Sequence, residues 1–163
     1  MNILVCTDLS VSSDKVLEQA ETIAKASAAK LWIVHVVSAD QGFAGYEMAS
    51  LTQSGVISYE IDSQSNSQPI RSFISQNIHK SHRKIQEVSS SLREEGLDST
   101  ALLIQGATVE TILLKASKLH VDMIIIGSHG RGVIHQMLLG SISEKVIQNS
   151  PCPILVVPVN ERS

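Results

Sequence analysis

Apolar residues along this chain fall into short, nearly continuous runs separated by stretches of helical periodicity. Ile3 to Cys6 and Leu31 to Val37 are the first two such runs, and each predicts a buried strand. Between them, Ser12 or Ser13 stands where a side-chain oxygen caps a helix start. The helix that follows places Val16, Ala20, Ile23, Ala24 and Ser27 on one face. Ile74, Ile78, Ile85, Val88 and Leu92 mark a long amphipathic helix, which Gly96 is placed to stop. Further along, Thr100 to Ile104, Val121 to Ile126 and Pro153 to Val157 read as strands. Thr108 to Leu119 and Ser141 to Asn149 read as helices.

Five strands alternating with four helices predict a doubly wound α/β fold with a mostly parallel sheet and helices on both faces. Unbroken apolar strands fit a sheet covered on both sides. Ligands of such sheets sit beyond the carboxyl ends of the strands. The places to look are therefore just after Cys6, Val37 and Ile126.

Residues 38–70 break the pattern with Gly42, Gly45, Gly55 and many Ser and Gln residues. The stretch exceeds the roughly 12–15 residues at which structureless connections become uncommon. It reads as an insertion or mobile loop with a short helix near Tyr46 to Leu51, either a passive surface excursion or a lid.

Composition narrows the picture. At 163 residues and 43% hydrophobic content, the chain is expected to form one domain, 1–163, with a sizeable core. A net charge of −3, no basic stripe and 3% aromatic residues argue against a nucleic-acid partner. Cys6 and Cys152 are too few for a disulfide framework and read as small buried hydrophobes. The start of the sequence lacks the features of a signal peptide, and no apolar run approaches the roughly 20 residues of a membrane span. The expectation is a cytoplasmic protein without a membrane partner.

The chemistry concentrates after the fourth strand, in Gly127-Ser-His-Gly130-Arg-Gly132 and then Gly140-Ser141-Ile142-Ser143-Glu144. Gly127 ends a strand where the backbone turns sharply or passes close to a ligand. Gly140-Ser141 opens a helix whose N–H groups and dipole favour an anion, and Ser141 and Ser143 add hydroxyl donors. A phosphate chain suits this arrangement. The order of residues is neither a Walker loop nor the dinucleotide fingerprint.

Gly127-x-x-Gly130, nine residues and then Gly140-Ser141 resembles the ATP-binding signature of the universal stress protein family. Ser150-Pro-Cys-Pro-Ile-Leu-Val-Val resembles its closing motif. Thr7-Asp8-x-Ser10-x-x-Ser13 and Gly106-x-x-x-Glu110-x-Ile112 are also similar to family segments. The resemblance implies a strand order 3-2-1-4-5, like the adenine nucleotide alpha hydrolase fold, and a stress-response protein acting as a nucleotide-dependent regulatory module. ATP or AMP, with Mg²⁺, would be the ligand. Thr7 and Asp8 would contact adenine and ribose, and Val36 would pack on the adenine. Ile126 and Gly127 would line the same pocket, while Gly130, Gly140, Ser141, Ile142 and Ser143 would cradle phosphates. Ile126 departs from the methionine frequent at that position. A homodimer through the last strand, Ile154 to Val157, is implied as well.

Two rival functions stay open: a slow ATPase or phosphoryl-transfer enzyme, and a nucleotide-independent dimeric interaction protein. His129 and Arg131 either touch a terminal phosphate or form a solvated loop tip. His35 reads as a hydrogen-bonded core residue. His79 and His82, spaced as a metal pair without a third ligand, read as a solvated helix face. Ser89 to Ser91 read as surface, and Asp122 as a loop or cap residue. No catalytic residue and no metal ligand is assigned.

Overall fold

The computed structural model describes residues 1–38, 48–51, 57–59, 68–129 and 139–159. Its main sheet contains β1 (Asn2–Cys6), β2 (Lys30–Ser38), β5 (Ser99–Gly106), β6 (Met123–Gly127) and β7 (Ile154–Val157), in the order β5-β2-β1-β6-β7. Counting these five along the chain gives the expected order 3-2-1-4-5. All four pairings are parallel. The register runs Leu4 beside Trp32 and Ile124, so β1 is the central strand.

Alternation along the strands sends side chains to two cores. Helices α1 (Asp14–Ser27) and α2 (Gln68–Glu94) cover one face, where Val16, Ala20, Ile85 and Leu92 meet Ile3, Val5, Ile33 and Leu103. Helices α3 (Thr108–Lys118) and α4 (Ser141–Asn149) cover the other, where Ile112, Ala116 and Val146 meet Leu4, Val34, Leu102 and Ile124. Burying both faces is what makes the strands continuously apolar.

Three helices end by turning into the left-handed region. After α2, Gly96 has φ +85, its N–H reaches the Arg93 carbonyl, and the Leu97 N–H reaches Leu92. Ala28 after α1 and His120 after α3 make the same turn with φ 50 and φ 47. These bonds satisfy last-turn carbonyls.

Several local expectations change. Met48–Leu51 is not helical: it forms β3, antiparallel to β4 (Ile57–Tyr59), and β4 lies beside β5. A single isolated turn of helix is costly to nucleate, whereas a hairpin satisfies its backbone by cross-strand pairing. Tyr46 lies outside the described residues. Ser27 is exposed, its hydroxyl bonded back to the Ile23 carbonyl at 2.7 Å. Neither Ser12 nor Ser13 caps a helix with its side chain, because the Ser13 hydroxyl is engaged by Asp8. Ser89 is 1% exposed rather than on the surface. It pairs with the Ser99 hydroxyl at 2.9 Å and so joins α2 to β5. Asp122 is a loop residue, as expected, and pins β1 by accepting from the Asn2 N–H at 2.6 Å and donating its own N–H to the Asn2 carbonyl. Among the described residues, no helix is long and apolar enough to cross a membrane.

Candidate functional site

The carboxyl ends of β1, β2 and β6 open into one cleft with about 730 Å³ of empty space, part of it solvent. Cys6, Val34, Val36 and Ile126 come from the strands, and Thr108 and Ile112 from α3. They form an apolar wall. Thr7, Asp8, Ser10, Ser12 and Ser13 add polar groups to the lining.

The polar part of the lining is a tightly bonded turn. The Thr7 N–H extends the sheet to the Val34 carbonyl at 3.0 Å, and Thr7 Oγ1 accepts the Leu9 N–H at 3.0 Å. Asp8 Oδ1 accepts from the Ser10 N–H at 3.0 Å, from the Ser10 hydroxyl at 2.5 Å and from the Ser13 hydroxyl. His35 Nδ1 lies 2.9 Å from the Thr7 carbonyl. Its cleft-lining position adds to its expected core hydrogen bond.

The far end of the cleft is the start of α4. Its N-cap is Gly140, in extended conformation, which has no side chain to cap the helix, and no capping side chain occurs among the described residues. Among the described residues, no side chain takes up the N–H groups of the first turn, which an anion can accept. Gly140 donates its own N–H to the Ser128 carbonyl at 2.8 Å. A Cβ on Gly140 would stand 3.2 Å from His129 Cα, and one on Gly127 3.3 Å from both the His129 carbonyl oxygen and a Val159 methyl. Close backbone approach therefore explains both glycines.

Of the residues expected at the site, Thr7, Asp8, Val36, Ile126, Gly127, Ile142 and Ser143 line the cleft. Gly140 and Ser141 do not, and form the helix start beside Ile142 and Ser143. Gly130 lies outside the described residues, as do Arg131 and Gly132. Ser143 is buried, and its hydroxyl donates to the Gly127 carbonyl at 2.8 Å. That proton ties α4 to β6 and is not available to a phosphate. Thr108 and Val159 line the cleft without a motif residue that marks them, and Ile112, which closes the Gly106-x-x-x-Glu110-x-Ile112 segment, lines it too. His129 lines it too.

Cys6 is half-buried on the cleft wall, and desolvation pushes its thiol up to about 12. A neutral thiol is a poor nucleophile. His79 is exposed, but His82 is not on a solvated face: helical phase places it with Ile78, Ile85 and Ser89. Its Nε2 is buried without a partner. Desolvation, then the nearby His79, lowers its pKa. No group of three or more His, Cys, Asp or Glu suited to a metal occurs among the described residues.

The pattern that defines the Universal stress protein family matches residues 1–158. The chain belongs to this family. The universal stress protein YxiE of Bacillus subtilis is 32% identical over 160 residues, covering 94% of this chain and 96% of YxiE. Among solved structures, MJ0577, a universal stress protein of Methanocaldococcus jannaschii, matches with a TM-score of 0.74 at 23% identity. The match covers 99% of this chain and 97% of that one. A universal stress protein in complex with cAMP has a TM-score of 0.61 at 22% identity, with 98% of each chain covered. The universal stress protein from Archaeoglobus fulgidus in complex with dAMP has a TM-score of 0.61 at 17% identity, with 96% of each chain covered. These structural likenesses establish the shared fold.

Proposed function

We propose that this universal stress protein binds an adenine nucleotide, ATP or AMP, in the cleft between β1, β2 and β6 and acts as a nucleotide-dependent regulatory module. One observation carries the reading: an apolar slot leads to a helix start that no side chain caps among the described residues. An adenine fits the first and a phosphate the second. Related proteins of this fold hold cAMP and dAMP. The 3′ oxygen of cAMP is esterified and dAMP has no 2′ hydroxyl, so the shared demands are the adenine and the 5′ phosphate.

In this reading Val36 packs on the adenine and Ile126 lines the same pocket, Thr7 and Asp8 contact adenine and sugar, and Gly127 lets the backbone come close. Ser141, Ile142 and Ser143 supply backbone N–H groups to phosphates, Gly130 and Gly140 shape the turn that cradles them, and Mg²⁺ accompanies a triphosphate. The outer edge of β7, which pairs with β6 on its other side, joins a second copy. The protein works in the cytoplasm.

Native mass spectrometry of the purified protein tests this. A mass increment of an adenine nucleotide, or its appearance after adding Mg²⁺-ATP or AMP, supports the reading. A dimer that stays nucleotide-free in excess ligand sinks it and favours an interaction protein. His129 on the cleft wall supports a second reading, slow ATP hydrolysis. Steady turnover that falls more than affinity in His129→Ala would establish it.

A further inference from the structure

We propose that Leu9 is a positioning residue for the nucleotide site, acting through Asp8 and Ser10; the inference rests on the nucleotide reading above. Leu9 has φ 57, the left-handed conformation that a bulky side chain rarely adopts. It does not line the cleft, but its neighbours Asp8 and Ser10 both do. Its side chain points the other way and is 8% exposed, in the core that includes Ile3, Val5 and Val16.

Three contacts hold this conformation. The Leu9 N–H donates to Thr7 Oγ1 at 3.0 Å. The Leu9 carbonyl accepts from Lys84 Nζ on α2 at 3.4 Å. The buried side chain anchors the residue from below. The left-handed step folds the chain back so that Asp8 Oδ1 meets both the N–H and the hydroxyl of Ser10. A backbone strained in this way persists only where its surroundings over-determine it. Here they fix the direction of a cleft carboxylate before any ligand arrives, which lowers the ordering cost of binding.

Conformation and burial can be separated by substitution. Leu9→Met keeps an apolar anchor without branching at Cβ. Leu9→Ile keeps apolar volume, but branching at Cβ opposes the left-handed region. Affinity for AMP is read by calorimetry, and protection of the Ser10 amide by hydrogen exchange without ligand. Leu9→Met should match wild type in both. Leu9→Ile should bind about tenfold more weakly and lose protection at Ser10. If Leu9→Ile fails to fold, Leu9→Gly takes its place. It permits the conformation but removes the anchor, and should also lose affinity and protection. Folded Leu9→Ile or Leu9→Gly with wild-type affinity overturns the inference while the nucleotide reading stands. A wild-type protein that binds neither AMP nor ATP overturns both.

Discussion

The hydroxyl of Ser143 donates to the carbonyl of Gly127 at 2.8 Å, joining the first turn of α4 to the end of β6. Both residues border the cleft, so this bond sets the spacing between its floor and the uncapped helix start. Ser143→Ala leaves the Gly127 carbonyl without that partner. The expected loss of stability is about 1–3 kcal/mol, read by urea unfolding. Nucleotide affinity should fall alongside it.

Gly140→Val places a branched side chain where a Cβ alone stands 3.2 Å from His129 Cα. The backbone of Gly140 is extended, which valine accepts, so the fold should survive. Calorimetric titration with AMP should show affinity lost by at least about tenfold, with an unchanged far-ultraviolet circular dichroism spectrum. Full affinity in the folded variant would remove the helix start from the site.

The left-handed helix ends predict the sign of two opposite substitutions. His120→Gly relieves a positive φ, partly offset by the greater freedom of glycine in the unfolded chain. A gain of about 0.5–1 kcal/mol is expected in denaturant titration. Gly96→Ala, at φ +85, should cost about 1 kcal/mol. Open space around Gly96 means that this cost is conformational rather than steric.

Cys6 predicts an alkaline weakness. Its thiol is pushed up to about 12 in the folded state, against about 8.5 when unfolded. Below the lower value both states hold the proton and nothing changes. Between the two, the unfolded chain releases the proton first, so stability falls as pH rises. Urea midpoints measured at pH 8 and pH 10.5 should diverge less in Cys6→Ala than in wild type.

His82 predicts the reverse on the acid side. Its pKa is lowered by desolvation and then by His79, so the unfolded chain takes up a proton first on acidification. The contribution is neutral above the ordinary imidazole value of about 6.5 and becomes destabilising below it. Thermal melts between pH 7 and pH 5 should show a shallower decline for His82→Leu.

The sheet was legible because parallel strands covered on both faces must be apolar throughout, and Ile3 to Cys6 or Ile124 to Ile126 leave no other reading. The glycine-bearing half of the cleft was legible for the same kind of reason: Gly127 and Gly140 mark places where the backbone of a neighbour comes close. What escaped lacks a local mark. Ala28 and His120 end helices as glycine does, and Leu9 turns the chain where Asn or Gly is the usual signal. Ser89 looks solvated within a serine run, and only its pairing with Ser99 across two elements puts it inside. Thr108 reaches the cleft because α3 starts there, at a variable position of the segment Gly106-x-x-x-Glu110-x-Ile112, and the resemblance gave Ile112, which closes that segment, no place in the site. The hairpin of β3 and β4 was hidden by a composition rich in Gly, Ser and Gln.

The place of β1 in the sheet has a consequence for how the protein is made. Its neighbours are β2, which follows soon after, and β6, whose Met123 pairs with Ile3. During synthesis the central strand must wait with one flank bare until more than a hundred further residues have left the ribosome. Folding is therefore gated by a late, long-range event, and loop closure over that span slows it. Ribosome-bound chains that end before β6 should expose this flank to chaperones, and release past Gly127 should end that exposure.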